Sequence, residues 1–392
     1  MKQLGYLSIV LLLLGLLPAV LPEGSAPVTS AEAQQAKQAP AQPPRTLTAL
    51  VGVGQDTTQV LAFFPAALKV RVGDTVTWKI ESDELHTVSF VRGVKPQEAT
   101  IEDPLGGPED LIPAFYARWT PGGAAEDSTI HPQVFFPTRE AGAPVEKYGG
   151  TGFVSSGIMK KRPPSGATPN LTFSMTFDKP GTYPFLCLVH PDRMRGTVEV
   201  VSASTKDVPD QAQIDAQAKA ESVPLLALVQ KAKDQGSTAR SDPGPRGTTL
   251  WFVRAGNSDW FSGDSRSQVF DFLPKAVTIK AGDTVVWAST YFHTITFNPV
   301  PPPPEDIVAR LQPQGQPQML LNPKATTPAR PGPVFDPAQY FNSADLGPFS
   351  ISGSSWALTF DTPGTFSYFC VFHRELGMEG TIIVQQREAR SQ

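Results

Sequence analysis

The stretch Leu68-Lys-Val-Arg-Val-Gly-Asp-Thr-Val-Thr-Trp78 recurs later in the chain as Val277-Thr-Ile-Lys-Ala-Gly-Asp-Thr-Val-Val-Trp287. In both copies apolar residues alternate with polar ones up to a Gly-Asp pair, and this period of two is typical of a β-strand with one buried face. The Gly-Asp pair predicts a turn into a second strand. The unit therefore indicates a β-rich fold that occurs twice.

Further matches accompany this unit in the same order in both copies, over residues 64–200 and 270–384. The matching pairs are His86-Thr87 and His293-Thr294, Pro108-Glu-Asp-Leu111 and Pro304-Glu-Asp-Ile307, Val134-Phe-Phe-Pro137 and Val334-Phe-Asp-Pro337, Thr176-Phe-Asp-Lys-Pro-Gly-Thr-Tyr183 and Thr359-Phe-Asp-Thr-Pro-Gly-Thr-Phe366, Cys187-Leu-Val-His190 and Cys370-Val-Phe-His373, and Met-x-Gly-Thr at Met194 and Met378. Chance is an implausible source of so many ordered matches, and duplication of one domain explains them.

Short strands bounded by turn residues, together with 40 prolines and 32 glycines, favour an all-β fold over a helix bundle. We predict two antiparallel β-sandwiches in tandem, over residues 48–201 and 248–385, with a short tail at 386–392. The linker between them, residues 202–247, is rich in Ala, Gln and Lys in its middle. That composition predicts two short helices within 210–236, broken at Pro224, with an apolar patch around Leu225 packing on a domain.

The first residues of the chain are typical of a targeting signal. Lys2 is followed by an almost wholly apolar run, Leu4 to Leu21, and by small residues that include Ala31-Glu-Ala33. This pattern predicts a signal peptide over residues 1–33 and a disordered leader over 34–47, and hence a periplasmic or extracellular protein. The apolar run is about long enough to cross a bilayer, so an uncleaved N-terminal membrane anchor remains an alternative.

The composition limits the classes of partner. Apolar residues make up 40% of the chain and charged residues 18%, which suits a globular protein with a buried core. The net charge is only −4 and the sequence contains no long basic run. Sequence-independent binding to the phosphate backbone of a nucleic acid is therefore not expected, and a nucleic acid partner is not predicted.

Four of the five histidines, both cysteines and two of the six methionines fall at equivalent positions of the two copies. They form two sets, His86, Cys187, His190 and Met194 in the first copy, and His293, Cys370, His373 and Met378 in the second. A soft thiolate, two imidazoles and a weak thioether are the ligands of an electron-transfer copper site. In each copy the cysteine follows a strand, and one short loop supplies the next histidine and methionine. The sequence therefore predicts two type 1 copper sites, one per domain.

Two other interpretations of the cysteines stay open. Cysteines of exported proteins often form disulfides, so Cys187 could pair with Cys370. This pairing would remove one ligand from each of two equivalent sites to make a single bridge. Zinc also binds cysteine and histidine, although structural zinc sites favour two or more cysteines and rarely use methionine.

Both copies resemble cupredoxins of the plastocyanin/azurin type. The resemblance rests on Gly-Asp-Thr-Val-x-Trp with its following histidine, and on Phe-Asp-x-Pro-Gly-Thr-aromatic leading to Cys-x2-His and Met-x-Gly-Thr. It implies Greek-key β-sandwiches with copper near one end, single-electron transfer, and redox protein partners that dock at the exposed edge of His190 or His373. The copies depart from small cupredoxins in carrying long insertions between the first histidine and the cysteine. These insertions are expected to cover the copper, form a docking surface, or pack the two domains together.

Besides electron transfer, two further functions fit the ligand set. One is a copper-holding or copper-delivery protein, and the other is a copper oxidoreductase with an additional copper. An additional catalytic copper needs further histidines, and only His131 remains after both sites are assigned. The sequence therefore leans against an enzyme.

Overall fold

The computed structural model describes residues 40–92, 100–103, 107–118, 128–139, 145–162, 168–257, 263–298, 303–347 and 353–388. The predicted signal peptide and residues 34–39 of the predicted leader lie outside these ranges. The elements up to the linker are β1 (Thr46–Gln55), β2 (Thr58–Phe64), β3 (Ala67–Arg71), β4 (Thr75–Glu81), β5 (Ser89–Phe90), β6 (Thr100–Asp103), β7 (Gly107–Pro113), β8 (Tyr116–Arg118), β9 (Ser128–Ile130), α1 (Pro132–Phe135), β10 (Glu146–Tyr148), β11 (Val154–Ser155), β12 (Thr172–Phe177), β13 (Gly181–Leu186) and β14 (Arg195–Val201).

The linker and the second half add two further helices and twelve strands. They are α2 (Gln211–Gly236), β15 (Arg240–Pro243), β16 (Thr249–Asn257), β17 (Ser267–Leu273), β18 (Ala276–Lys280), β19 (Asp283–Ser289), β20 (Thr296–Phe297), β21 (Ile307–Arg310), β22 (Gln318–Leu321), α3 (Pro323–Thr326), β23 (Phe341–Asn342), β24 (Ser355–Phe360), β25 (Gly364–Phe369) and β26 (Glu379–Gln385), with short 3-10 turns at Pro245–Gly247 and Arg374–Leu376.

Each half is a sandwich of two sheets. In the first half the sheet β10-β12-β4-β1-β2 faces the sheet β11-β5-β13-β14-β3, and in the second β17-β16-β19-β24 faces β18-β26-β25-β20-β23. The fully buried Trp78 and Trp287 fill the two cores, with ring centroids 5.1 Å from Phe185 and 5.4 Å from Tyr368 respectively. The predicted fold class of two all-β sandwiches in tandem is confirmed.

The two sandwiches are joined edge to edge. Strands β2 and β17 pair antiparallel, so that one sheet of each half merges into a single ten-stranded sheet. Gln59 lies opposite Gln268, with Val60 opposite Ser267 on one side and Thr58 opposite Val269 on the other. Because Thr58-Gln-Val60 and Ser267-Gln-Val269 are matching segments, each strand presents the same surface to the other, as in a two-fold interface.

The linker helix covers this joint. The predicted break at Pro224 is wrong, because α2 is one helix of 26 residues with Pro224 inside it. Its start is fixed by a capping box between Asp210 and Gln213. Its apolar residues, Leu225 among them as predicted, pack in one cluster with residues of β2 and β17. A proline inside a helix costs about 3 kcal/mol, and we attribute the tolerance of this one to burial of the apolar face across both halves.

The insertions of the two halves also meet. Strand β22 of the second half pairs with β9 of the first, which gives a four-stranded sheet in the order β21-β22-β9-β8. Leu321 from β22 and Ile130 from β9 belong to one buried apolar cluster. Of the three roles expected for the insertions, the described residues show that they pack the halves together. From Pro40 onward the chain forms one compact unit.

A buried ion pair ties the halves at the same interface. The Lys160 ammonium lies 3.0 Å from the Asp306 carboxylate and 3.1 Å from that of Glu375, and the side chains of Lys160 and Asp306 are 8% and 9% exposed. Burial alone would lower the pKa of Lys160, but the two negative charges outweigh it and raise that pKa.

Replacing Lys160 by Met should lower the free energy of unfolding by about 3–5 kcal/mol, because Asp306 would keep a buried charge without its cation. Denaturant titration of the purified protein measures this. The double variant Lys160→Met/Asp306→Leu is the matched control and should recover most of the loss, since the carboxylate that remains, Glu375, is half exposed to solvent. A single variant as stable as the parent would contradict the assigned role of the pair.

Candidate metal centres

The first candidate centre lies at one end of the first sandwich. His86 follows strand β4 and is held by two backbone hydrogen bonds to Met159, with N–O distances of 3.0 and 2.7 Å. Cys187 immediately follows β13, and the turn from His190 to Met194 leads into β14. Strands far apart in sequence therefore deliver the four predicted side chains to one place.

Three of these side chains converge through their ligand atoms. The Cys187 sulfur lies 4.0 Å from His86 Nδ1 and 3.7 Å from His190 Nδ1. The sulfur and both rings are buried, and so is the side chain of Met194. Three ligand atoms at about 2.1 Å from one metal ion in a trigonal plane would lie about 3.6 Å apart. The two sulfur–nitrogen distances of this centre are close to that value.

The second candidate centre has the same arrangement at the end of the second sandwich. The Cys370 sulfur lies 3.9 Å from His293 Nδ1 and 3.4 Å from His373 Nδ1, and the two Nδ1 atoms are 3.0 Å apart. Met378 is fully buried beside them. The structure therefore brings both predicted sets together.

The loop before the methionine is one residue shorter in the first copy, yet the backbone of the two methionines is held alike. The Met194 amide donates to the His190 carbonyl, and the Met194 carbonyl accepts from the Cys187 amide, both at 2.9 Å. Met378 makes the corresponding bonds to His373 and Cys370, at 3.2 and 3.1 Å. The extra residue of the second loop is accommodated in the 3-10 turn at Arg374–Leu376.

A threonine next to the first histidine of each copy supports the sulfur, a role that the sequence motif did not reveal. The Thr87 amide donates to the Cys187 sulfur at 3.2 Å, and the Thr87 hydroxyl accepts from the Leu188 amide at 2.8 Å. Thr294 repeats both contacts in the second copy. Burial raises the pKa of the Cys187 and Cys370 thiols, the latter to about 11, while these amide donors oppose the rise by favouring the thiolate.

A glycine on the first strand of each half packs against the outer edge of the first histidine. A β-carbon added at Gly52 would lie 2.6 Å from His86 Nε2, and one at Gly256 would lie 2.1 Å from His293 Nε2. Both glycines have positive φ, +59° and +73°. Each glycine therefore packs against the Nε2 edge of its histidine ring, while Nδ1 faces the cysteine sulfur. Both Nε2 atoms are buried and have no hydrogen-bond partner among the described residues. In the sequence this feature is visible only as the Gly52-Val-Gly54 stretch, which by itself does not point to a metal centre.

The metal-free protein should lose stability in mild acid. Burial lowers the pKa of His86 and His293 from 6.5 to about 3, so both rings are neutral when folded and bind protons in the unfolded chain once the pH falls below 6.5. This stability is present above pH 6.5 and is lost toward pH 3. Between pH 7 and pH 5 the loss should be about 2 kcal/mol for each of the two rings.

Denaturant unfolding of the copper-free protein at the two pH values measures this loss. Glu84 acts in the opposite sense, because burial raises its pKa to about 7. The comparison is therefore best made in a Glu84→Gln background. An unfolding free energy that is equal at pH 7 and pH 5 in that background would contradict the neutral, buried state of the histidines.

Both cysteines are free and lie in separate clusters with their own histidines. The alternative of a disulfide between Cys187 and Cys370 is therefore wrong. His131 lies elsewhere and caps helix α1, with its Nδ1 accepting from the Gln133 amide at 3.2 Å. This contact accounts for His131 as a structural residue.

The expectation that His190 and His373 each expose a ring edge is wrong for this chain. His190 and His373 are 3% and 5% exposed, because each is covered by the other half of the protein. Small cupredoxins lack the second half and the insertions, so the resemblance alone did not reveal this burial.

The protein thus has two His-Cys-His groups with the ligand geometry of the blue-copper class. A methionine is buried in the same apolar cluster as each cysteine. The family model of copper-binding proteins of the plastocyanin/azurin family matches residues 261–385. Plastocyanin from Scenedesmus fuscus is 35% identical over 124 residues, which are 31% of this chain and 92% of that protein. Plastocyanin, chloroplastic, from Tetradesmus obliquus is 34% identical over 124 residues, covering 31% of this chain and 62% of that protein.

Among solved structures, the Cu(I) form of an amicyanin mutant is 22% identical, covers 40% of this chain and 82% of that chain, and has a TM-score of 0.20. A mutant plastocyanin of fern is 18% identical and also has a TM-score of 0.20, and the match covers 34% of this chain and 99% of that chain. The chain belongs to the plastocyanin/azurin family of copper-binding proteins. Copper is accordingly the metal that the two donor sets fit, as predicted from the sequence.

Proposed function

We propose that this chain is an exported carrier of single electrons with two type 1 copper sites, one in each sandwich. The observation that carries the proposal is the repeated convergence of one cysteine sulfur and two histidine Nδ1 atoms in a buried place. The proposed ligands are His86, Cys187, His190 and Met194 in the first site and His293, Cys370, His373 and Met378 in the second. Copper in such a site cycles between Cu(I) and Cu(II), which supplies the one-electron chemistry.

The chain's own contribution is a rigid donor set. The backbones of both histidines, the cysteine and the methionine of the first site are fixed by strand ends and by main-chain hydrogen bonds. The rings are further fixed by close packing, as at Gly52 behind His86. Because little is free to move, the reorganisation that accompanies a change of charge stays small.

The proposed location is the periplasm or the extracellular space, with the first 33 residues as a signal peptide and the domains at 48–201 and 248–385. The apolar run at Leu4 to Leu21 supports export. Within the part of the chain that the structure describes, no helix is long and apolar enough to cross a membrane. The proposed partners are redox proteins.

Metal analysis of the purified protein tests the proposal, combined with visible absorption and electron paramagnetic resonance of the oxidised form. Two coppers per chain, an intense blue colour and only narrow type 1 hyperfine patterns are expected. A third copper with a wide hyperfine pattern would favour an oxidoreductase, and two coppers that exchange readily but resist redox cycling would favour a copper-delivery protein.

The two sites should differ in reduction potential. The rim of the first carries Arg193, whereas the second has a longer loop and Glu84 at 3.9 Å from His373 Nε2. Charges and hydrogen bonds around a copper site tune its potential. A redox titration followed by absorption should therefore resolve two steps, and a single step that fits two identical potentials would contradict this prediction.

A further inference from the structure

The two candidate centres face one cavity. A space of about 670 Å³ lies between the halves, and both His190 and His373 contribute to its wall. His373 Nε2 lies 3.9 Å from the carboxylate of Glu84, a residue of the first half two positions before the proposed ligand His86. The copper ends of the two sandwiches therefore point toward each other, since each loop histidine lies at the end of its own sandwich.

The two Cys-x2-His segments also pack in one apolar cluster. Val189, between Cys187 and His190, and Phe372, between Cys370 and His373, both belong to the cluster that holds the insertions together. The Phe372 ring stacks on Phe292 at 4.2 Å. The ligand loops of both centres therefore contribute to the same apolar cluster.

A second contact, between two residues of the cavity wall, links the surroundings of the two centres. The Arg193 guanidinium, from the loop between His190 and Met194, lies 4.4 Å from the ring centroid of Tyr291. The Tyr291 ring in turn packs edge-on to His293, a proposed ligand of the second site, at 6.3 Å. A cation over an aromatic face is an attractive contact, so the loop of one site is held against the surroundings of the other.

We propose that the two sites are each other's redox partner, and that the facing edges of His190 and His373 form the path by which they exchange an electron within the chain. This inference rests on the proposed function. One site loses one electron as the other gains it, so the exchange needs no external oxidant or reductant. The low exposure of both rings, together with their place in the wall of one shared cavity, supports this assignment.

The distance between the sites is the first test, and it uses the fully oxidised protein with both sites loaded. Dipolar electron paramagnetic resonance should give a copper–copper distance shorter than one seven-residue strand, about 24 Å. The Cys187→Ser and Cys370→Ser variants, with one type 1 site each, are the matched controls and should lose the dipolar signal. A longer distance would overturn the proposal, since the copper ends would then point apart.

The exchange itself is the second test. A brief pulse of reductant that delivers less than one electron per chain should be followed by redistribution of the blue absorption between the two sites. The rate of this phase should stay constant when the protein concentration is raised tenfold, and the phase should vanish in both single-site variants. Absence of redistribution in the parent, or a rate that rises with concentration, would overturn the proposal.

The outcomes of these experiments distinguish the intrachain electron path from the proposed function. Two type 1 spectra with a long distance or a concentration-dependent exchange would overturn the intrachain path and leave the proposed function standing. A copper-loaded protein without type 1 spectra would overturn both.

Discussion

Replacing Cys187 by Ser should leave a protein with about one copper per chain, having lost the type 1 spectrum of the first site and kept that of the second. The thiolate is the soft ligand that a type 1 site requires, and a serine hydroxyl does not replace it. The Thr87 amide, 3.2 Å from the sulfur, can still donate to a serine oxygen, so the fold should persist. Copper analysis and electron paramagnetic resonance of the oxidised variant measure the result.

The mirror variant Cys370→Ser is the matched control and should remove the second spectrum alone. Each sulfur lies in a cluster with the two histidines of its own half, which is the basis for expecting independent sites. Loss of both spectra in either variant would show that the two sites depend on each other for folding or loading.

Replacing Gly256 by Ala should abolish the second type 1 site. The added β-carbon would lie 2.1 Å from His293 Nε2, well inside any tolerable contact, so either the ring or the strand must move. The residue also has a φ of +73°, at which a side chain carries a strain of about 1–3 kcal/mol. Copper content of about one per chain, together with a lower free energy of unfolding, is the expected result.

Gly263 offers a matched control for this variant. Its φ is +75°, yet no atom of the described residues lies within 4 Å of an added β-carbon. Gly263→Ala should therefore carry only the backbone strain and keep both coppers. If Gly256→Ala also kept two unchanged type 1 spectra, the packing of the glycine against His293 would have no part in shaping the site.

The donor sets were predictable from the sequence because the same residue types recur in the same order. Cys-x2-His after a strand and Met-x-Gly-Thr before the next one place three side chains on one loop by local geometry alone. The first histidine was identifiable because His-Thr repeats in both copies. The supporting residues were not assigned, since the contacts of Thr87 and Gly52 depend on which strands pack together and not on local sequence.

The relation between the halves was beyond the sequence for the same reason. The pattern around Pro224 predicts a helix break, but packing across both sandwiches keeps α2 continuous. The burial of His190 and His373 likewise depends on the other half and on a sheet shared by the two insertions. Long-range contacts of this kind leave little trace in a single sequence.

The pairing of β2 with β17 has the symmetry of an interface between two identical subunits. Gln59 faces Gln268 on a local two-fold axis, and the flanking positions interchange across it. Such an interface is the kind that two identical subunits form with each other. Within one polypeptide, the present chain therefore has the geometry by which two identical single-domain proteins would associate edge to edge.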